Sequence, residues 1–144
     1  MAALEEVEVK DLVTAWYQAL DVHAPVDEML PMLAADGLEM TFPEGVQRGQ
    51  DGFRRWYETV THRFFDEVHT LQNLTVTLNG DRADVKLVVN WQAKIWDPPA
   101  PRSVWLGFDA AQTWVVERSP TSGRSVVRTY IVDALTPMPG SASL

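Results

Sequence analysis

Residues 83–96, ADVKLVVNWQAKIW, are the stretch that most constrains how this chain can fold. Every second residue from Ala83 to Ile95 is apolar, whereas the residues between them are mostly polar. Because successive side chains of a strand point to opposite faces, this alternation predicts one long strand with one buried face. The strand is longer than the usual five or six residues, roughly, which favours a curved antiparallel sheet. We expect Val89 and Trp91 on its inner face and Asn90 and Lys94 on its outer face.

The flanking segments supply helices for such a sheet to enclose. Apolar residues recur at helical spacing in residues 5–20 and 53–65, and a short helix is predicted for residues 26–33, with a break or kink at Pro31. Further strands are predicted at residues 38–42, 71–78, 103–117 and 125–135. The predicted fold class is α+β: a curved antiparallel sheet wrapped around three N-terminal helices, cone-shaped, with an internal pocket. Residues 1–144 form one domain, with the core at about 5–135 and a flexible tail at 136–144.

The net charge and the amino-acid composition make several partners and chemistries unfavourable for this chain. The net charge of −8 makes nucleic acid an unfavourable partner. The chain contains no cysteine, so a disulfide framework and thiolate chemistry are excluded. The acidic N-terminus is unlike a signal peptide, and no apolar run reaches the roughly 20 residues of a membrane span. We therefore expect a cytoplasmic protein that binds neither nucleic acid nor membrane.

Several stretches carry a resemblance to a known superfamily. These are LVTAWYQAL in the first helix, MLPMLAADGLEMTFPEG, RGQDGFRRWY, FFDEVH with the hairpin LTVTLNGDRADVKLVV, and the closing VVRTYIVDAL. Together they resemble the nuclear transport factor 2-like cone fold, which ketosteroid isomerase, scytalone dehydratase, limonene epoxide hydrolase and the SnoaL-type polyketide cyclases share. The resemblance covers about residues 9–135. It implies a pocket inside the cone, but the fold hosts unrelated chemistries as well as non-enzymes.

The resemblance implies one acid/base residue and several pocket residues. SnoaL-type cyclases place an aspartate near the end of the last strand, where this chain has Asp133. Ketosteroid isomerases place an oxyanion-binding tyrosine on the first helix, where Trp16 occupies the best register and Tyr17 lies one residue away. Their aspartate base has no counterpart in residues 39–42, so isomerase activity of that kind is not expected. The predicted catalytic residues are Asp133 and Tyr17, and the predicted ligand-binding residues are Trp16, Thr41, Trp56, Trp91, Gln112 and Trp114.

Three other features leave alternatives open. Gln112, among aromatic residues on the inner face of its strand, needs a hydrogen-bond partner, which is either a ligand or a neighbouring side chain. Arg128 faces either inward as an anion clamp or, as we expect, outward toward a cross-strand partner. His62 and His69 lack the further ligands that a metal needs, so no metal site is predicted. We expect His69 to pair with a backbone group and His23 to be exposed.

Two functional hypotheses follow from the sequence. The first is a SnoaL-like enzyme that acts on a hydrophobic small molecule by cofactor-independent acid/base chemistry, of isomerase, cyclase, dehydratase or hydrolase type. The second is a non-catalytic domain of the same fold that binds a small molecule or forms a dimer. Apolar residues on the outer sheet face, Val88, Trp96 and Val115, predict a homodimer through that face.

Overall fold

The computed structural model describes residues 2–144. The helices are α1 (Glu6–Asp21), α2 (Val26–Met29), which continues into a 3₁₀ turn (Leu30–Met32), and α3 (Gly49–Arg63). The strands are β1 (Glu39–Phe42), β2 (Gly45–Arg48), β3 (Phe65–Asn79), β4 (Arg82–Ile95), β5 (Val104–Arg118) and β6 (Ser125–Pro137). The α+β fold class is confirmed, and the change of helix type at Leu30–Met32 matches the break predicted at Pro31.

One curved sheet of six strands, in the order β2-β1-β6-β5-β4-β3, holds the domain together. All neighbours are antiparallel except β1 and β6, so the sheet is mixed and not purely antiparallel as predicted. β2 was not predicted from the sequence, because GVQR contains one apolar side chain and none of its residues is fully buried. It also placed the start of β3 six residues too late, at Leu71 instead of Phe65.

The predicted orientation of β4 is confirmed. Val89 is fully buried, Trp91 is partly buried against the core, and Lys94 is exposed. Asn90 lies on the opposite face from Val89, where its Nδ2 donates to Asp109 Oδ1 at 2.9 Å. The core therefore lies between the inner sheet face and the helices, as the alternation in residues 83–96 predicts.

The residues after β6 pack along the sheet. Met138 N donates to Gly107 O at 2.9 Å, and Gly107 N donates to Ser141 Oγ at 2.9 Å. Ala142 N donates to Trp105 O at 3.2 Å. The predicted flexible tail at 136–144 therefore includes the last residues of β6 and a segment that is hydrogen-bonded to β5. Within residues 2–144, no helix is long and apolar enough to cross a bilayer.

Candidate active site

A cavity of about 80 Å³ lies between the helices and the inner face of β3–β6. A wider vestibule of about 630 Å³ lies beside it at α3 and the β1–β2 turn, and the two share Pro43, Glu44, Trp56, Val60, Phe64 and Leu144 as lining residues. The walls of the 80 Å³ cavity are mainly apolar, and they include Phe42, Trp56, Val60, Phe64, Val89 and Trp91. This volume holds several water molecules, and the apolar walls favour a hydrophobic ligand.

A histidine–aspartate pair lies at one wall of the cavity. His69 on β3 lines the cavity, and its Nδ1 lies 2.6 Å from Asp21 Oδ1 at the end of α1. The same carboxylate accepts the backbone N–H of His69 at 3.0 Å. Because an ionised carboxylate only accepts hydrogen bonds, the Nδ1–H of His69 donates to Asp21, and His69 Nε2 makes no hydrogen bond among the described residues. The side chain of His69 is 10% exposed and that of Asp21 is 26% exposed, so both are largely shielded from water.

Tyr17 connects this histidine to a buried amide. Its ring stacks on His69 with centroids 5.0 Å apart, and its hydroxyl donates to Gln112 Oε1 at 2.9 Å. Trp114 Nε1 also donates to Gln112 Oε1, at 3.0 Å. With two donors on Oε1, the orientation of the Gln112 amide is fixed at the wall of the cavity that Gln112 lines.

A second histidine–carboxylate pair lies beside the first. Glu67, two residues before His69, lines the cavity, and its Oε2 is hydrogen-bonded to His23 Nε2. Trp91 Nε1 donates to Glu67 Oε1 at 3.0 Å. His23 follows α1 and Asp21 ends it, so the C-terminal end of one helix and the start of β3 supply both pairs.

Two tyrosines show how strongly the cavity walls exclude water. Burial raises the pKa of Tyr130, on the cavity wall, to about 12, although the side chains of Trp16, Tyr17 and Gln112 act in the opposite direction. Burial likewise raises the pKa of Tyr17 well above its usual value. In surroundings this dry, a hydrogen bond or a charge has a larger effect than it has in water.

The structure brings together some of the residues predicted from sequence. Trp56, Trp91 and Gln112 line the cavity. Tyr17 and Trp114 lie behind it and hold Gln112, so the Tyr17 hydroxyl is occupied by Gln112 instead of facing a ligand.

Two predicted ligand-binding residues lie elsewhere. Trp16 is fully buried and packs against Phe53, Trp114 and Tyr130 in the core. Thr41 alternates with Met40 and Phe42, which are the buried residues of β1, so it points to the other face.

The predicted position of Asp133 inside the cavity is wrong. Asp133 is exposed on the outer sheet face, where it accepts the Thr113 hydroxyl at 2.6 Å. The alternation of β6 explains the difference, because Tyr130 and Val132 line the cavity and Asp133, the next residue, points to the opposite face. Asp133 is also the extra residue of a β-bulge, since Ala111 pairs with Ala134 whereas Gln112 pairs with Val132. Arg128 faces outward as predicted and donates to Glu117 at 3.2 Å.

Sequence reasoning missed Asp21, Glu67 and the role of His69. A signal was present: an acidic residue, a valine and a histidine occur in that order twice, at residues 21–23 and 67–69. In the structure, the acidic residue of each tripeptide pairs with the histidine of the other: Asp21 with His69, and Glu67 with His23. His69 therefore has a side-chain partner, and His23 is not fully exposed. Among residues 2–144, no group of three or more histidine, aspartate or glutamate side chains is arranged to hold a metal ion.

Solved structures with the same fold support this architecture. A candidate aromatic ring hydroxylase from Novosphingobium aromaticivorans is 19% identical, with 92% of each chain covered and a TM-score of 0.76. A hexachlorocyclohexane dehydrochlorinase from Novosphingobium barchaimii is 17% identical, with 96% of this chain and 92% of that chain covered and a TM-score of 0.74. A candidate dehydratase of the NTF2-like family from Streptomyces avermitilis is 18% identical, with 92% and 95% covered and a TM-score of 0.74.

The family assignment rests on the sequence itself. No curated protein matches the chain significantly. The model of the SnoaL-like domain family matches residues 1–133, which is most of the chain. The resemblance noted from sequence is thereby confirmed, and the chain belongs to the SnoaL-like domain family.

Proposed function

We propose that this protein is a cofactor-independent enzyme that removes a proton from carbon in a small hydrophobic carbonyl compound. The observation that carries the proposal is the Asp21–His69 pair at the wall of an apolar cavity. A neutral imidazole whose Nδ1–H is held by a carboxylate is oriented to act as a base through Nε2. Asp133, on the outer face, has no part in this reaction.

Gln112 is the group that stabilises the charge formed in the reaction. As the C–H proton moves to His69 Nε2, the electron pair of that bond moves toward the carbonyl oxygen and forms an enolate. An N–H of Gln112, fixed by Tyr17 and Trp114, donates to that oxygen. A donor oriented in advance in a dry site stabilises developing charge at little reorganisation cost.

The enolate then has two outcomes, both of which balance without a cofactor. Return of the proton from His69 to a different carbon gives an isomer. Departure of a leaving group from the adjacent carbon, with its bonding electrons, gives an unsaturated product and leaves the proton on His69 for release. Dehydration and dehydrochlorination, for which two of the structural neighbours are named, are likewise eliminations, in which a proton and a leaving group depart from adjacent carbons.

Hydrogen–deuterium exchange tests the proposal without knowledge of the natural substrate. In deuterated buffer, acetophenone and related small ketones should exchange their α-protons faster with the protein than without it, as followed by proton NMR. His69→Asn should reduce this catalysed exchange by a factor of about 10² or more, because it removes the base.

His62→Asn is the matched control, since His62 is exposed on α3 and its Nδ1 contacts the backbone oxygen of Glu58. It should exchange at the wild-type rate. Equal exchange by wild type and His69→Asn would refute the proposal. If ketones bind to the cavity with no catalysed exchange at all, the non-catalytic binding domain becomes the correct description.

A further inference from the structure

Glu67 places a carboxylate in a cavity whose walls are otherwise mainly apolar. Its side chain is only 11% exposed, and it lines the cavity together with His69. Burying a carboxylate costs several kcal/mol, roughly, unless it is hydrogen-bonded. The base mechanism above uses His69, Asp21 and Gln112 and leaves Glu67 without a role.

Two N–H donors from different elements hold Glu67 in place. His23 Nε2 is bonded to one oxygen, and Trp91 Nε1 is bonded to the other at 3.0 Å. A carboxylate has about four acceptor positions, so both oxygens keep a lone pair for a further donor. The charge of Glu67 also acts on Tyr57. Burial is the main cause that raises the pKa of Tyr57 to about 12, and the negative charges of Glu67 and Glu28 add to it.

The backbone on both sides of this pair adopts an uncommon conformation. His23 has φ 48° and Asp66, just before Glu67, has φ 51°, both in the left-handed region that residues other than glycine rarely adopt. The pairing of β3 with β4 also shifts register between Phe65 and Val68, which is a bulge. Such strain and bulges are concentrated at functional sites, where they direct a side chain toward a ligand.

We propose that Glu67, held by His23 and Trp91, is a specificity-determining residue that accepts a hydrogen bond from a hydroxyl group of the substrate. The substrate class is then a small hydroxylated carbonyl compound, and this inference rests on the proposed function. A hydroxyl is the smallest neutral donor that can reach the lone pairs that His23 and Trp91 leave open, and an apolar cavity favours a neutral ligand over a cation.

The spacing along β3 sets the distance from the hydroxyl to the reacting carbon. Residues 67 and 69 both face the cavity, and alternate residues of a strand lie about 6.6 Å apart. A hydroxyl bound at Glu67 therefore belongs on the far side of a single ring from the carbon that approaches His69. The 3- and 4-hydroxyacetophenones have this geometry, and the methoxyacetophenones are matched ligands without a donor.

The test is a set of dissociation constants from NMR chemical-shift titrations. Wild type should bind the better hydroxyacetophenone about tenfold more tightly than its methoxy counterpart, as expected for a hydrogen bond to a charged acceptor. Glu67→Gln should reduce this ratio to about threefold or less, and Glu67→Met should abolish it. Glu58→Gln, at an exposed position of α3, is the matched control and should keep the wild-type ratio.

Three results would overturn the inference. The first is a wild-type protein with no preference for the hydroxyl, a comparison that needs no variant and so cannot be confused with misfolding. The second is a preference that persists in Glu67→Met. The third is tighter binding of 4-(aminomethyl)acetophenone than of the hydroxy compound, which would assign the site to a cation. Binding ratios do not depend on turnover, so this failure is separate from an absence of catalysed exchange with acetophenone.

Discussion

Asp21→Asn is the substitution that most sharply separates a positioned base from a histidine that is simply buried. Asp21 accepts both the ring Nδ1–H and the backbone N–H of His69. An asparagine keeps one oxygen but places an NH₂ group at the other position, where it either faces the backbone donor or donates to Nδ1. In the second arrangement the proton of His69 moves to Nε2, and the imidazole can no longer accept a proton from the substrate.

The expected loss of stability is modest and the loss of activity is large. A hydrogen bond to a charged group contributes about 1.5–3 kcal/mol, and the partial exposure of Asp21 reduces this to about 1–2 kcal/mol. For a domain of this size, such a loss lowers Tm by roughly 3–8 °C. Catalysed α-proton exchange should fall by a factor of about 10² to 10⁴.

Calorimetry and NMR exchange, performed on the same protein samples, measure both quantities. Asp133→Asn is the control, because Asp133 is exposed on the outer face and should tolerate the change with no loss of exchange. An Asp21→Asn variant that exchanges as fast as wild type would refute the role of Asp21. Loss of exchange in Asp133→Asn would instead return the catalytic role to the residue that the sequence predicted.

Three further predictions concern the core and the outer sheet face. Tyr17→Phe removes one of the two donors on Gln112 Oε1 and should cost about 1 kcal/mol of unfolding free energy in denaturant titrations, together with part of the exchange activity. Because burial raises the pKa of Tyr130 to about 12 in the fold, this tyrosine alone should lower the stability by about 2–3 kcal/mol between pH 10 and 12, and Tyr17 and Tyr57, whose pKa values are also raised, should add to the fall. Tyr130→Phe should show a smaller fall over that range, and an identical fall would contradict the assignment. Val88, which is half-buried, and Trp96, which is exposed, are apolar residues of the outer sheet face and predict a homodimer through that face. Sedimentation tests this prediction. A monomer at tens of micromolar, roughly the range of moderate association, would count against it.

The fold could be predicted because its main determinant is local and periodic. The alternation in residues 83–96 fixes which face of β4 is buried, and the helical spacing in residues 5–20 fixes α1. The parallel pairing of β1 with β6 could not be predicted in the same way. It joins strands that are separated by most of the chain, and β1 itself has only four residues.

The site was less predictable because it depends on register and on distant partners. Asp133 is on the outer face because Tyr130 and Val132 take the inward positions of β6, and the bulges of this strand hide from VVRTYIVDAL which residues those are. His69 becomes a candidate base only because the fold brings Asp21 to it, from 48 residues away in sequence. For Gln112, the sequence indicated a buried amide in need of a partner, and the structure supplies Tyr17 and Trp114, whereas its contact with a ligand stays a prediction.

A structure of the protein in complex with 4-hydroxyacetophenone would show whether His69 and Gln112 face the reacting atoms. We expect the carbonyl oxygen about 2.7–3.1 Å from Gln112 Nε2 and the α-carbon within about 3.5 Å of His69 Nε2. We also expect that Asp21 remains bonded to His69 Nδ1. A ligand bound in the cavity with its carbonyl turned toward the vestibule and its α-carbon away from His69 would contradict the account.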